Sequence, residues 1–319
     1  MRSDMMALTG AFVVLFGCAR HAESQEPGRA GRPSGAGQPE ASVVAQDVPA
    51  TGYRRKAPSA AWRERLRQNA VESENLTVAS VPTLTPPIEA FFFANPETVC
   101  DPDERTRVLD TKSTPWSANC QLLITMADGA TALGSGWLLG PRLVVTAGHC
   151  VHEGQGGAFY TQIEVIPGAD GRDRPFGSQV SATAALRASQ AWITKGDLAG
   201  DYGAIILPKA FAMGGASPAQ HVIEVKTDAD LRSGEGGLAG YPADKERGTQ
   251  WNDSDPFSRL LPGRLQYRTD TYGGQSGSAV IHGGKAVGIH NYGGCPNYCT
   301  RITAEVDAQL RIWLEESSR

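Results

Sequence analysis

Leu143-Val144-Val145-Thr146-Ala147-Gly148-His149-Cys150 is a short β-branched run that stops at a small-residue turn carrying a histidine. The apolar stretch is too brief for a helix and has the residue types of a buried strand. Similar runs lie on both sides, separated by Gly, Asp, Asn or Pro: Cys120–Met126, Ser135–Leu139, Gln162–Pro167, Tyr202–Leu207, His221–Val225, Gly237–Tyr241, Leu260–Tyr267, Ser278–Ile281 and Ala286–His290. Short strands punctuated in this way predict an all-β barrel or sandwich. The sequence has no long helical period until Thr303–Leu314. There Val306, Leu310, Trp313 and Leu314 share one face, Thr303 can cap and Glu305 suits the first turn.

The 319 residues allow two domains, or one with extensions. At 40% hydrophobic and 20% charged, the chain can bury a core. The 37 glycines and 20 prolines fit a loop-rich β protein. A net charge of −4 leaves no basic excess for a phosphate backbone, so no nucleic-acid partner is expected. No apolar run reaches 18 residues, which argues against a spanning helix.

Residues 1–18 read as a targeting segment: Arg2, then the apolar Met5–Phe16, then Gly17-Cys18. Leu15-Phe16-Gly17-Cys18 also resembles a lipobox, in which a lipidated Cys18 would tether the chain to a membrane. Either reading sends the protein out of the cytoplasm, as a secreted protein or a bacterial cell-envelope lipoprotein. Residues 19–98 hold nine of the prolines and few large apolar side chains before residue 60. This composition cannot offset chain entropy by burial, so a largely disordered leader or propeptide is expected, with one short helix at Ala61–Val71. Of the six cysteines, Cys295 and Cys299 are close enough to close a small local loop, which an oxidising compartment favours. Without Cys18, an odd number remains.

Three motifs carry chemistry. Thr146-Ala147-Gly148-His149-Cys150 is followed after 52 residues, counted from His149, by Asp201 in Asp201-Tyr202-Gly203-Ala204-Ile205. Ser276, in Gly273-Gly274-Gln275-Ser276-Gly277-Ser278, lies 75 residues further on. A serine hydroxyl needs a base within hydrogen-bond reach to become a nucleophile. Imidazole can take that proton and return it to a leaving amine. A carboxylate on the other ring nitrogen fixes the tautomer and stabilises the imidazolium. The oxyanion then needs preorganised donors, and the N–H groups of Gly274 and Ser276 can line one small hole. His149, Asp201 and Ser276 are the expected catalytic set. His149 and His152 flank Cys150, but zinc spacing and HExxH are absent, so no metal and no cofactor are expected.

The order His–Asp–Ser is that of chymotrypsin-like enzymes. Residues from about 99 to 316 resemble a chymotrypsin-fold serine protease, and most nearly the bacterial glutamyl endopeptidases. Val99–Val108 resembles that family's mature N-terminus, Asp270–Ser278 its nucleophile motif, and Gly288-Ile289-His290-Asn291 its specificity strand. The resemblance implies two antiparallel β-barrels, about 99–210 and 211–302, closed by a helix at about 303–316. His149 would come from the first barrel, Ser276 from the second, and Asp201 from near their junction. It also implies a monomeric endopeptidase acting on proteins or peptides, cutting after Glu (or Asp), with Thr271 and an imidazolium at His290 holding the substrate carboxylate. A leader would suppress activity until cleavage at Glu97–Thr98 or Thr98–Val99.

Two departures stand out. Asp270 lies six residues before Ser276, the register that selects Arg or Lys in trypsin-like enzymes. With Thr271 and His290 present, Asp270 is read as turned aside or as orienting His290. Family members with a first-barrel disulfide pair the Cys after the catalytic His with one about sixteen residues earlier. Leu133-Gly134-Ser135-Gly136 offers none, leaving Cys150 to pair with Cys120, Cys100 or nothing. The competing classes are a non-catalytic secreted protease homologue that acts as a binding module, and a structural envelope lipoprotein.

Overall fold

The computed structural model describes residues 98–212 and 215–319. The expected signal segment, Cys18, the leader and its helix lie outside the described residues. Fourteen strands form two antiparallel sheets: β1 (Thr106–Arg107), β2 (Asn119–Thr125), β3 (Thr131–Gly140), β4 (Leu143–Thr146), β5 (Gln162–Pro167), β6 (Gln179–Ala182), β7 (Leu186–Ala188), β8 (Gly203–Ile206), β9 (Glu235–Gly240), β10 (Trp251–Leu260), β11 (Arg264–Tyr267), β12 (Ala279–His282), β13 (Lys285–Tyr292) and β14 (Asn297–Arg301). The first sheet, in the order β6-β5-β2-β3-β4-β8-β7, curls around a core of Leu122, Ile124, Leu138, Val144, Ile163, Val165 and Ile205. The second runs β1-β10-β11-β14-β13-β12-β9 and closes into a six-stranded barrel because β9 also pairs with β10. Leu238, Leu265, Tyr267, Val280 and Val287 fill it.

Alternation within strands explains how the two bodies join. On β3 and β4, Leu138 and Val144 face the first core, while Trp137, Leu143 and Val145 point the other way. Those outward residues meet Ala279, Ala286 and Ile289 of the second barrel. The C-terminal helix Ala304–Ser317 seals the same seam with Val306, Leu310 and Trp313, and Thr303 caps it by accepting from the Val306 N–H. These strands are therefore apolar on both faces, which is why they read as continuous runs.

Several expectations change. His221–Val225 is not a strand: His221 N–H donates to the Leu138 carbonyl, and only Ile223 bridges, in parallel, to Ala286. Leu260–Tyr267 is not one strand but the end of β10, a turn and β11. β10 itself escapes sequence reading, because Trp251-Asn252-Asp253-Ser254-Asp255-Pro256 is polar and carries a mid-strand proline. The segment before β2 leaves the first sheet and lies along the second, where β1 pairs with β10.

The cysteines also depart from expectation. Cys295 bonds Cys100, with Cα atoms 5.7 Å apart, rather than Cys299. Cys120, Cys150 and Cys299 are buried outside any disulfide. Cys299 lies inside the barrel on β14, whereas Cys295 sits in the loop before it. A Cβ at Gly134 would stand 3.2 Å from the Cys150 sulfur, so that position adjoins Cys150 without supplying a partner. Burial pushes the Cys120 and Cys299 thiols up, which disfavours thiolate. Non-reducing peptide mapping should recover a Cys100–Cys295 cross-link, with the other three cysteines alkylated only after unfolding. A Cys295–Cys299 peptide would contradict this pairing. Cys295→Ser should cost about 2–5 kcal/mol of stability.

Candidate active site at the barrel seam

His149 sits in a 3-10 turn (Gly148–Cys150) one residue after β4, and Asp201 lies two residues before the start of β8, the neighbour of β4 in the sheet. The pairing of β4 with β8 thus brings together two residues 52 apart. Asp201 accepts from the His149 N–H at 2.7 Å through Oδ1, and its Oδ2 lies 2.7 Å from His149 Nδ1. The Tyr292 hydroxyl, from β13 of the other barrel, also donates to Oδ2. A carboxylate removed from water must recover its hydrogen bonds, and here donors from both sheets supply them. The Tyr292 ring lies 5.4 Å from the His149 ring, and Trp192 borders its other side at 6.3 Å.

Ser276 lies in the tight turn entering β12. Its hydroxyl donates to the Asn291 carbonyl at 3.4 Å. The Asn291 side chain donates in turn to the Asp201 carbonyl at 2.5 Å. The Ser276 carbonyl accepts from the Ser135 N–H at 2.8 Å and from the Cys150 thiol at 3.6 Å. Ser276 is therefore placed against the residue that follows His149 and linked through Asn291 to Asp201. Gly274 holds φ +102, and a Cβ there would meet the Tyr241 carbonyl at 2.6 Å, so only glycine fits. The turn closes on the N–H groups of Gln275, Gly277 and Ser278 and does not draw on that of Gly274.

Thr271 precedes β12, and His290 lies on its antiparallel neighbour β13. Thr271 is fully buried and its hydroxyl has no hydrogen-bond partner among the described residues. His290, on β13, has Nδ1 2.6 Å from the Tyr267 hydroxyl. Burial, and then the nearby His149, push its pKa down to about 3. Before a substrate carboxylate is bound, the ring therefore favours the neutral form near pH 7. Asp270 turns aside, as one of the two sequence readings holds: its oxygens accept the N–H groups of Cys100 (2.6 Å) and Glu104 (2.8 Å). The other reading, Asp270 as the partner of His290, is replaced by Tyr267.

The first described residue adjoins this region. Thr98 N–H donates to Asn297 Oδ1 at 3.2 Å, and its carbonyl accepts from Asn297 Nδ2 at 2.7 Å and from the Thr271 N–H at 3.4 Å. His152 has a local structural role: Nδ1 accepts the Gly154 N–H at 2.8 Å and the ring packs edge-on to Phe159. Among the described residues, no group of three or more His, Cys, Asp or Glu could hold a metal ion. Sequence reading missed the roles of Tyr267, Tyr292, Asn291 and Asn297. Their types are common in strands and loops, and no spacing signal marks them.

A family model described as a trypsin-like peptidase domain matches residues 134–289. The chain is 34% identical over 236 residues to a glutamyl endopeptidase of Bacillus licheniformis, covering 68% of this chain and 69% of that one. It is also 34% identical over 232 residues to a Bacillus subtilis protein named extracellular metalloprotease, covering 69% and 71%. Among solved structures, a Glu endopeptidase in complex with MPD superposes with a TM-score of 0.61 at 25% identity, over 67% of this chain and 98% of that one. The protease Anisep from Arthrobacter nicotinovorans shares the fold, with a TM-score of 0.54 at 17% identity over 66% and 98%.

The two charge-assisted bonds at Asp270 hold the chain entrance to the second barrel. Asp270→Asn should lower the unfolding free energy by about 2 kcal/mol, read from urea denaturation. An unchanged midpoint would mean that the carboxylate does not anchor the segment.

Proposed function

Because the chain belongs to the glutamyl endopeptidases, serine endopeptidases of chymotrypsin fold that act on proteins or peptides, we propose that it cuts after glutamate (or aspartate) with Ser276 as nucleophile, His149 as base and Asp201 as the group that orients it. The observation that carries this reading is the buried His149 Nδ1–Asp201 Oδ2 contact at 2.7 Å, with Ser276 tied to Asp201 through Asn291.

Those positions support the following chemistry. His149 takes the proton from Ser276 Oγ as the oxygen attacks the scissile carbonyl carbon. The oxyanion of the tetrahedral intermediate receives the N–H groups of Gly274 and Ser276. The C–N bond then breaks and His149 returns the proton to the departing amine. Water, deprotonated by His149, attacks the acyl-enzyme and releases the acid. Asp201 stays ionised throughout and holds Nδ1–H so that Nε2 faces the serine.

For specificity, a substrate carboxylate entering the pocket must replace its water. The buried, unpartnered Thr271 hydroxyl is one donor. His290 is a second: in the neutral tautomer that accepts from Tyr267 at Nδ1, the proton resides on Nε2 and can be offered to the substrate. Both oxygens of Asp270 are already occupied by backbone donors, which counts against selection of Arg or Lys. On matched peptides differing only at P1, kcat/KM should be at least about 100-fold higher after Glu than after Arg or Lys, since unpaired polar groups discriminate strongly. Faster cleavage after Arg or Lys would reverse the reading.

The proposed organisation is a signal segment at 1–18, a leader at 19–98 and the protease at 99–319, exported from a bacterium. The word extracellular in the name of the Bacillus subtilis relative supports export. Lipidation of Cys18 and a monomeric state are part of the same proposal. Asn297 engages both the N–H and the carbonyl of Thr98, which supports cleavage at Glu97–Thr98 with Thr98 retained. An enzyme that cuts after Glu can process Glu97 itself. Ser276→Ala expressed alone should accumulate as the unprocessed precursor by N-terminal sequencing. Normal trimming of that variant would assign the step to another protease.

A further inference from the structure

We propose that Ser135, on β3 of the first sheet, is a positioning residue that fixes the direction of the Gly274 N–H in the second barrel. The proposal rests on the reading of Ser276 as nucleophile and Gly274 as oxyanion donor.

Gly273-Gly274 has little steric resistance to rotation of its peptide planes, since neither residue carries a Cβ. A donor that must be aimed before the reaction therefore needs its neighbouring planes held. Two hydrogen bonds hold them. The Gly273 carbonyl accepts from the Ala243 N–H at 2.7 Å, which directs the N–H of the same peptide, that of Gly274, to the opposite side. The next plane is held by its Gly274 carbonyl, which accepts from Ser135 Oγ at 2.8 Å.

Ser135 also supports the first of these locks. Its Oγ accepts the Tyr241 N–H at 3.0 Å, and Tyr241 lies two residues before Ala243. The bond directions are unambiguous, because a carbonyl can only accept and an amide N–H can only donate. Its own N–H donates to the Ser276 carbonyl at 2.8 Å, and its carbonyl accepts from the Thr146 hydroxyl at 2.7 Å. Every polar atom of a residue only 1% exposed is thus engaged, and three of those bonds reach across the seam to Tyr241, Gly274 and Ser276. A first-sheet hydroxyl thereby sets the geometry of a second-barrel donor. The donor is competent only when the two bodies are docked.

A serine that merely satisfied buried backbone would affect stability and leave turnover per folded molecule unchanged. The test is steady-state kinetics of wild type, Ser135→Ala, Ser135→Cys and Ser276→Ala, each freed of its leader by an added protease and repurified, on one peptide substrate, with concentrations corrected for folded protein by thermal melting. Ser135→Ala should lower kcat about 10- to 100-fold, less than loss of a whole oxyanion donor. KM should stay within about threefold, because the bond acts on the transition state. Affinity for a peptide aldehyde, whose hemiacetal oxygen occupies the hole, should fall by a similar factor. Ser135→Cys keeps the volume but weakens the donor, so it should show the same split and preserves the comparison if the alanine variant does not fold. A kcat within about twofold of wild type in either folded variant would overturn the proposal. Retained activity in Ser276→Ala would instead remove the reading beneath it.

Discussion

A carboxylate with no exposure to water organises this molecule. Asp201 accepts two bonds from His149, one from backbone and one from the ring, and a third from the Tyr292 hydroxyl. His149 belongs to the first sheet and Tyr292 to the second. Asp201 belongs to the first sheet as well, so removing the Tyr292 hydroxyl while the bodies stay docked would leave the buried carboxylate one donor short, at a cost of about 1–3 kcal/mol. Docking of the barrels therefore stabilises the charge, and the charge orients the imidazole. On the proposed reading, stability and chemistry depend on the same few atoms.

The seam is built from ordinary strand physics. Residues on β3 and β4 alternate between two cores, so each strand contributes to its own sheet and to the interface. Ser135 and Ser276 meet where those strands face the turn before β12. The chain entrance adds a second constraint beside Thr271. Cys100–Cys295, the Asp270 carboxylate and the Asn297 side chain all hold residues 98–104 against the second barrel. Behind them, the buried Arg105 guanidinium pairs with Asp103 at 2.9 Å and Asp244 at 3.0 Å. Both Asp270 oxygens are engaged in this anchor.

What could be read in advance follows from how each feature is encoded. The buried strands β4 and β8 are apolar throughout or nearly so, and β2, β5 and β13 carry apolar residues at their core-facing positions, so these runs are visible. The C-terminal helix shows its period through Val306, Leu310 and Trp313. His149, Asp201 and Ser276 can be proposed from sequence because each sits in a small-residue turn next to such a run. β10 is hidden because its residues are polar and include Pro256, and its place is set by pairing with β9 and β11. The pairing of Cys100 with Cys295 is a long-range contact that spacing cannot reveal, and the four-residue gap to Cys299 misleads. The neutral state of His290 depends on burial, which residue type does not encode.

The central claim is that Ser276 is made nucleophilic by His149 across the seam. The most direct measurement is labelling of the processed protein with a fluorophosphonate, followed by mass mapping of the adduct. The account predicts one equivalent of label on Ser276, with the rate reduced by orders of magnitude in His149→Ala although the protein remains folded. Label on another residue, or equal labelling in the presence and absence of the His149 ring, would contradict it.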